Sequence, residues 1–286
     1  MCCDFVVIQR APIFPLLFML KRFLFITLFL LGALSASCQE GDTVRLQAHY
    51  IATFREFFER KDIETEEKVL RIADHHSEFY GRWLRRRSEI VDSAMKTHCS
   101  VSETLSLINK YPRPRQFYAI YDNYPSQGMR IVTDKEYKTF SYQEKIEPIR
   151  WQILPRDTVV LDTPCQFATA MFRGRLWTAC FAPSIPFQSG PWKLRGLPGL
   201  ILYARDDTGM FSFDCIEIKK GEGLLQAPSL KKTIPTTREK FRKIRLEATA
   251  DPEGYIKRRF GLETKGWGPD GKPLVRKKFT PIFMEK

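Results

Sequence analysis

The sequence predicts a mainly β protein: a curved antiparallel sheet of meandering strands with a few packed α-helices. Three observations carry that expectation. From Val44 to Phe54 the chain alternates, with Val44, Leu46, Ala48, Tyr50, Ala52 and Phe54 on one side and Arg45, Gln47, His49 and Thr53 on the other. A period of two is a half-buried strand with one wet face. Beyond residue 117, short apolar or alternating runs recur between local turn signals, which argues for a meander rather than strand–helix–strand units. Helical periodicity is confined to three short stretches.

In chain order, Val69 to Ala73 reads as a second strand, followed by Ser77 to Tyr80. Residues 82–97 turn helical, with Ile90, Val91, Ala94 and Met95 on one face. Arg85, Arg86 and Arg87 are the wrong sign for a helix N-terminus, so a later start is expected. Ser100 and Glu103 have capping-box spacing ahead of Leu105, Leu107 and Ile108, and Pro112 and Pro114 end that helix. Phe117 to Tyr121 is a strand and Asn123 to Gly128 a turn. Met129, Ile131 and Thr133 alternate, as do Phe140 with Tyr142, and Trp151 with Ile153 follows. Cys165 to Phe172 and Leu176 to Phe181 form a hairpin about Arg173-Gly174-Arg175, and Leu200 to Arg205 with Met210 to Ile218 forms another. Thr236 and Glu239 cap a last helix carrying the stripe Phe241, Ile244 and Ala248. After Pro252 the chain is basic and rich in Gly and Pro, and loose packing is expected. With no internal repeat and no linker, residues 39–286 are expected to form one domain.

The most tightly specified stretch is Gly190 to Ile201, GPWKLRGLPGLI. Gly190-Pro191 and Pro198-Gly199 each pair a fixed φ with a permissive one. Leu197-Pro198-Gly199-Leu200 has Pro and Gly where a type II turn places them, and Leu200 and Ile201 open an apolar run. Trp192 and Leu194 supply bulk to bury. Together with Cys165-Gln166-Phe167-Ala168-Thr169, Phe172-Arg173-Gly174-Arg175, Trp177-Thr178-Ala179 and Phe181 to Pro186, these residues resemble the GLPGLI family, named for the six residues Gly196 to Ile201. Asp206 to Phe213 and Thr236 to Phe241 extend the likeness, which covers roughly residues 115–252. The resemblance implies an exported Gram-negative envelope protein, in a family of undetermined biochemical function.

The N-terminus agrees with export. Lys21-Arg22 precede the apolar run Phe23 to Leu31 and the small residues Gly32 to Ser37, the three regions of a signal peptide ending near residue 38. Phe23 to Leu34 is too short to span a membrane. Met19 stands where an initiator would, making residues 1–18 an upstream extension; if Met1 is the start, residues 13–34 read as a signal anchor interrupted by two charges. Cys38 is open to two readings, a lipid-anchored cysteine or a residue lost by cleavage before Gln39. The 286 residues are 43% apolar, ample for a core, and carry a formal charge of +13. Residues 1–38 hold Arg10, Lys21 and Arg22 against Asp4, so their removal leaves +11. Such a surface favours anionic partners, and export sets nucleic acid aside.

Reactive chemistry is sparse. Cys99, Cys165, Cys180 and Cys215 outlast signal removal; a Cys165–Cys215 disulfide across neighbouring strands and four free thiols are the two readings, while hairpin register keeps Cys165 and Cys180 from facing each other. His75-His76, Glu78, His98 and Cys99 read as polar loop, since adjacent side chains on a strand point to opposite faces; no metal or cofactor is expected. Serine-hydrolase motifs, a P-loop and a dinucleotide fingerprint are lacking, and no catalytic residue is assigned. What remains is a cation–aromatic set, Arg173, Arg175, Trp177, Trp192, Lys193 and Arg195, expected as a ligand or partner surface. These readings favour a periplasmic or outer-membrane-associated protein that binds an apolar or anionic ligand or a membrane-protein partner without catalysis. A hydrolase with an unfamiliar site and a lipid-anchored structural protein are the alternatives. A closed concavity lined with apolar residues would favour the ligand-binding reading over both alternatives.

Overall fold

A computed structural model describes residues 42–263 and 278–285. The expected export signal and Cys38 lie outside the described residues, as do residues 264–277 of the basic tail. The chain is mainly β. Its thirteen described strands begin with β1 (Asp42–Phe54), β2 (Glu64–Ala73), β3 (Ser77–Gly81), β4 (Ala119–Asp122), β5 (Met129–Lys135) and β6 (Thr139–Lys145). They continue with β7 (Gln152–Val160), β8 (Thr163–Phe172), β9 (Arg175–Ala182), β10 (Leu200–Asp206) and β11 (Phe211–Lys220), and end with the short β12 (Leu224–Leu225) and β13 (Ile234–Pro235). They form one open sheet in the order β13-β6-β5-β4-β3-β2-β1-β11-β10-β9-β8-β7, with β12 beside β1. Every pairing is antiparallel except β13 on β6.

The sheet is strongly curled. β6 and β9 are eight strand spacings apart, about 38 Å on a flat sheet. Yet Arg173, at the tip of the β8–β9 hairpin, brings its guanidinium 3.5 Å from the Glu144 carboxylate on β6. Curling gathers the even-numbered side chains of β1, Leu46 to Phe54, into one core with Phe79, Ile120, Trp177, Phe181 and Phe213. The odd-numbered face of β1 is polar: His49 pairs with Glu67 at 2.7 Å and Arg45 with Asp74.

Both sheet edges are interrupted by proline. β7 carries Pro155 inside a bulge between Ile153 and Asp157, and β13 is two residues long and ends on Pro235.

Four helices are described: α1 (Arg82–Lys96), α2 (Val101–Ile108), α3 (Arg238–Ala250) and α4 (Pro252–Phe260). α1 starts directly after β3, earlier than its arginines led us to expect. The sheet supplies the missing anion, because Glu78 on β3 accepts both branches of the Arg85 guanidinium at 3.0 and 2.8 Å. The capping box on α2 is present, with Glu103 N donating to Ser100 Oγ. The cap of α3 is Thr237, not Thr236; the Thr236 amide is taken by the Ser141 carbonyl as β13 leaves the sheet. Phe241 and Ala248 are the buried residues of α3. No helix among the described residues is long and apolar enough to cross a membrane.

The tail is not loose where it is described. α4 is closed by Asp251 at its start and by Gly261 in the left-handed region at its end. Residues 278–285 then lie as a strap across the inner face. Phe58 N donates to Thr280 O, Ile282 N donates to Glu56 O, and Phe57 forms a bridge with Pro281. The strap's Phe279, Ile282, Phe283 and Met284 give it an apolar side that composition alone conceals.

Candidate functional site

The GPWKLRGLPGLI stretch belongs to the connection from β9 to β10. Its turn is tighter than type II. Gly199 N donates to Leu197 O at 2.8 Å, a three-residue turn centred on Pro198, and Leu200 N reaches across to Ile185 O. Gly199 sits at φ +155 against the Ala182 carbonyl, and Gly196 at φ +91 faces open space. Gly190 lies against the Ile201 side chain, where a Cβ would come within 2.7 Å. Tyr50 donates its hydroxyl to Ile201 O at 2.8 Å, fixing the corner to the middle of the sheet. Leu194, Leu197, Leu200 and Ile201 are all buried.

This bend does more than turn the chain, because it carries cations inward. Trp192 takes φ +55 and packs at a tilt against Trp177, with ring centroids 5.5 Å apart. The next residue, Lys193, is fully enclosed. Its ammonium lies 2.8 Å from Glu144 Oε1 and 2.5 Å from Glu285 Oε1 on the strap. Arg195 donates to Asp122 at 3.1 Å, and its carbonyl accepts from the Trp151 indole. The six cation and aromatic residues expected as a surface are therefore not an exposed patch. Trp177, Trp192, Arg175 and Lys193 are buried, the Arg173 side chain is 9% exposed, and only Arg195, at 28%, reaches solvent substantially. The physical reason is the curl, which folds both the hairpin tip and the β9–β10 connection over the inner face.

Beside them lies a partly open cavity of about 520 Å³ between the inner face, α3 and the strap. Arg173, Trp192 and Lys193 are part of its wall; Trp177, Arg175 and Arg195 stand behind it. Phe54, Phe211, Phe241 and Ile282 contribute apolar surface, and eight lysine and arginine side chains face five carboxylates. At one end Lys193, Arg173 and Arg238 surround Glu285 and Glu144. Behind them Arg130 on β5 is held by its cross-strand neighbour Asp122 at 2.5 and 2.9 Å. Burial works against the charge of Arg130, but Asp122 and Glu144 outweigh it and raise its pKa further. Burial also pushes the Tyr142 hydroxyl, 3.4 Å from Lys193, well above the ordinary range, so it stays protonated and able to donate. At the other end Arg245 binds Asp134 and Glu136, and burial raises the Glu136 carboxyl. Beside it, off the cavity wall, Lys68 lies 3.3 Å from Glu66 and 4.6 Å over the Tyr118 ring.

The strap is fixed from below by Arg175, which pairs with Asp206 at 2.6 Å and donates to the carbonyls of Phe283 and Met284. Arg242 donates to the carbonyl of Glu285.

Among the described residues no histidine, cysteine or serine lines the cavity. His76 pairs with Asp42 and stacks on Tyr124, and Glu78 is engaged by Arg71 and Arg85. Among the described residues no group of three or more His, Cys, Asp or Glu side chains is arranged to hold a metal ion. The four cysteines are free thiols. Cys165 on β8 and Cys215 on β11 are not in neighbouring strands as expected; β9 and β10 lie between them. The β8–β9 hairpin turns on Arg173-Gly174, both at positive φ, so Cys180 opposes Phe167 and stands diagonal to Cys165. Burial pushes the Cys180 and Cys215 thiols up to about 12, which suppresses the thiolate needed for nucleophilic chemistry.

Reading the sequence missed Asp122, Arg130, Glu144 and Glu285. The available signal was charge at inward positions of otherwise apolar strands. Val132 points inward between Arg130 and Asp134, and Tyr142 lies two residues before Glu144.

Comparison with protein-family models returns no match, and comparison with curated proteins returns none either. Among solved structures, the chain is similar to PNGF-II in two crystal forms. The P21 form gives a TM-score of 0.45 at 8% identity, and the C2 form 0.45 at 9%. The match covers 70% of this chain and 32% of that one, so this chain spans about a third of its length. A likeness of that size carries no argument about function.

Proposed function

We propose that the chain is an exported cell-envelope protein of the GLPGLI type that works by binding, and that it holds a small amphipathic anion in the cavity beneath the strap. One observation carries the reading: a cavity of about 520 Å³ whose wall joins aromatic and aliphatic side chains to a surplus of cations. Its size falls within the ~300–1,000 Å³ span of small-molecule sites, which combine an apolar lining with a few convergent polar groups. The apolar wall would receive a hydrocarbon or ring system, and the cations its acidic group. The resemblance to an exported family and the signal-like N-terminus support an envelope location. Among the described residues the wall holds no histidine, cysteine or serine, which argues against a triad-type hydrolase.

The test is mass spectrometry under non-denaturing conditions of protein purified from its native envelope. The expected result is a co-purifying small acid, with the mature N-terminus and any acylation of Cys38 read from the same spectrum. Protein that carries nothing, and whose tryptophan emission shows no saturable change with alkyl acids, would refute the reading.

A further inference from the structure

We infer that Lys193, Arg173 and Arg238 form a recognition site for a ligand carboxylate, and that the side chain of Glu285 is the occupant a ligand displaces. The inference rests on the cavity being a binding site, as proposed above.

Three cations from three separate parts of the chain converge on this one carboxylate: Lys193 from the β9–β10 connection, Arg173 from the hairpin tip and Arg238 from the first turn of α3. Glu285 Oε1 lies 2.5 Å from Lys193 Nζ, and its Oε2 lies 3.4 Å from Arg238 and 3.8 Å from Arg173. Guanidinium groups are planar forks that match carboxylate geometry. Tyr142, whose hydroxyl is 3.4 Å from Lys193, adds a neutral donor.

The two carboxylates at this end are anchored differently. Glu144 projects from β6, directly opposite Arg130 on β5, whose guanidinium approaches it at 3.6 Å. Glu285 belongs to the strap, whose backbone is held without it. Arg175 binds the carbonyls of Phe283 and Met284, Arg242 binds the Glu285 carbonyl, and Ile282 N binds Glu56 O. The Glu285 side chain can therefore swing away while the strap stays in place.

Charge decides where an incoming ligand settles. Without Glu285, the enclosed cations Lys193 and Arg173 and the partly exposed Arg238 share Glu144 and two outlying carboxylates, Glu147 and Glu239, which are 59% and 65% exposed. A buried cation left without a partner is costly, so an incoming carboxylate is drawn to the same position. Its apolar body then lies against Phe241 and Phe211. Glu285 thus sets the affinity threshold: a ligand binds only as far as it outcompetes the residue already present.

The experiment titrates the purified protein with decanoate, decyl phosphate and decanol, by calorimetry and by tryptophan emission, for the wild type, Glu285→Gln and Arg238→Gln. Near-ultraviolet circular dichroism verifies that each variant is folded. Removing the competing charge raises the fraction of binding-competent sites, so Glu285→Gln is expected to tighten decanoate about tenfold and leave decanol unchanged. Arg238→Gln, which is 37% exposed and tolerates replacement, weakens decanoate. A purely structural Glu285 gives unchanged or weaker decanoate binding in Glu285→Gln, and that result overturns the inference while leaving the binding-site reading intact. An equal gain for decanol, or a preference for decyl phosphate over decanoate, overturns it as well. If no variant binds any of the three, this inference and the binding-site reading fall together.

Discussion

Gly196 and Gly199 lie three residues apart in one motif, and the structure assigns them different jobs that a single experiment separates. Both have positive φ, at +91 and +155. A Cβ on Gly196 meets nothing within 4 Å, so Gly196→Ala costs only the left-handed backbone penalty, about 1–2 kcal/mol. A Cβ on Gly199 would overlap the Ala182 carbonyl oxygen, stand 2.6 Å from its carbon and press on Pro183 Cα at 3.0 Å. Those are backbone atoms at the end of β9, and they cannot yield without breaking the β9–β10 register. Gly199→Ala therefore adds an overpacking cost of about 1–3 kcal/mol to a backbone cost of about 1–3 kcal/mol. Their sum, about 4 kcal/mol, is a large share of a typical domain stability of about 5–15 kcal/mol. Urea unfolding followed by tryptophan emission measures both, because Trp177 and Trp192 are buried beside the corner. Equal slopes in urea keep the midpoints comparable. The reasoning fails if Gly199→Ala costs no more than Gly196→Ala.

Other substitutions probe the charged layer. Arg175→Gln strands the buried Asp206 carboxylate and frees two strap carbonyls. It should cost about 3 kcal/mol and open residues 278–285 to proteolysis; wild-type resistance there would contradict it. For the enclosed pair Glu66–Lys68, burial lowers the Lys68 pKa and Glu66 only partly offsets it. Lys68→Met alone should destabilise by about 3 kcal/mol, with most of that recovered when Glu66→Gln is added; a double-mutant cycle with no coupling would refute this. Asp42 gives a pH test. Burial raises its carboxyl, but the amides of His75 and His76 and the His76 ring outweigh that and hold it below the ordinary range. A depressed carboxyl contributes stability above its unfolded value of about 3.9 and loses it as pH falls through the lower native value. Thermal midpoints of Asp42→Asn should therefore show a shallower acid decline than the wild type, and parallel curves would exclude the effect.

The β character and much of the strand order were legible, because β1 and the β8–β9 and β10–β11 hairpins announce themselves through alternation and turn residues. The Ser100–Glu103 box was equally plain, since its chemistry is complete within four residues. The site was only half legible. Arg173, Trp192 and Lys193 stood out as cations beside aromatics, but their setting was read as a surface. Nothing local reveals that Lys193 will meet Glu144 and Glu285, 49 and 92 positions away in the chain. Inward charge also erases the alternation that marks a strand's buried face. Lys68 occupies the position opposite Tyr50 and Glu66 the one opposite Ala52, so β2 looks polar where it is most enclosed. The strap was misread for a compositional reason, as the glycines, prolines and lysines around it outweigh the four apolar residues that dock.

A sheet this wide presents two rims, each able in principle to template another strand from a second molecule. Pro155 in the bulge of β7 and Pro235 at the end of β13 remove the amides that such an addition would use, and the distorted or abbreviated backbone around them offers little to extend. The assembly thus stops growing at both borders. Its longest ladder therefore cannot continue into a neighbouring copy.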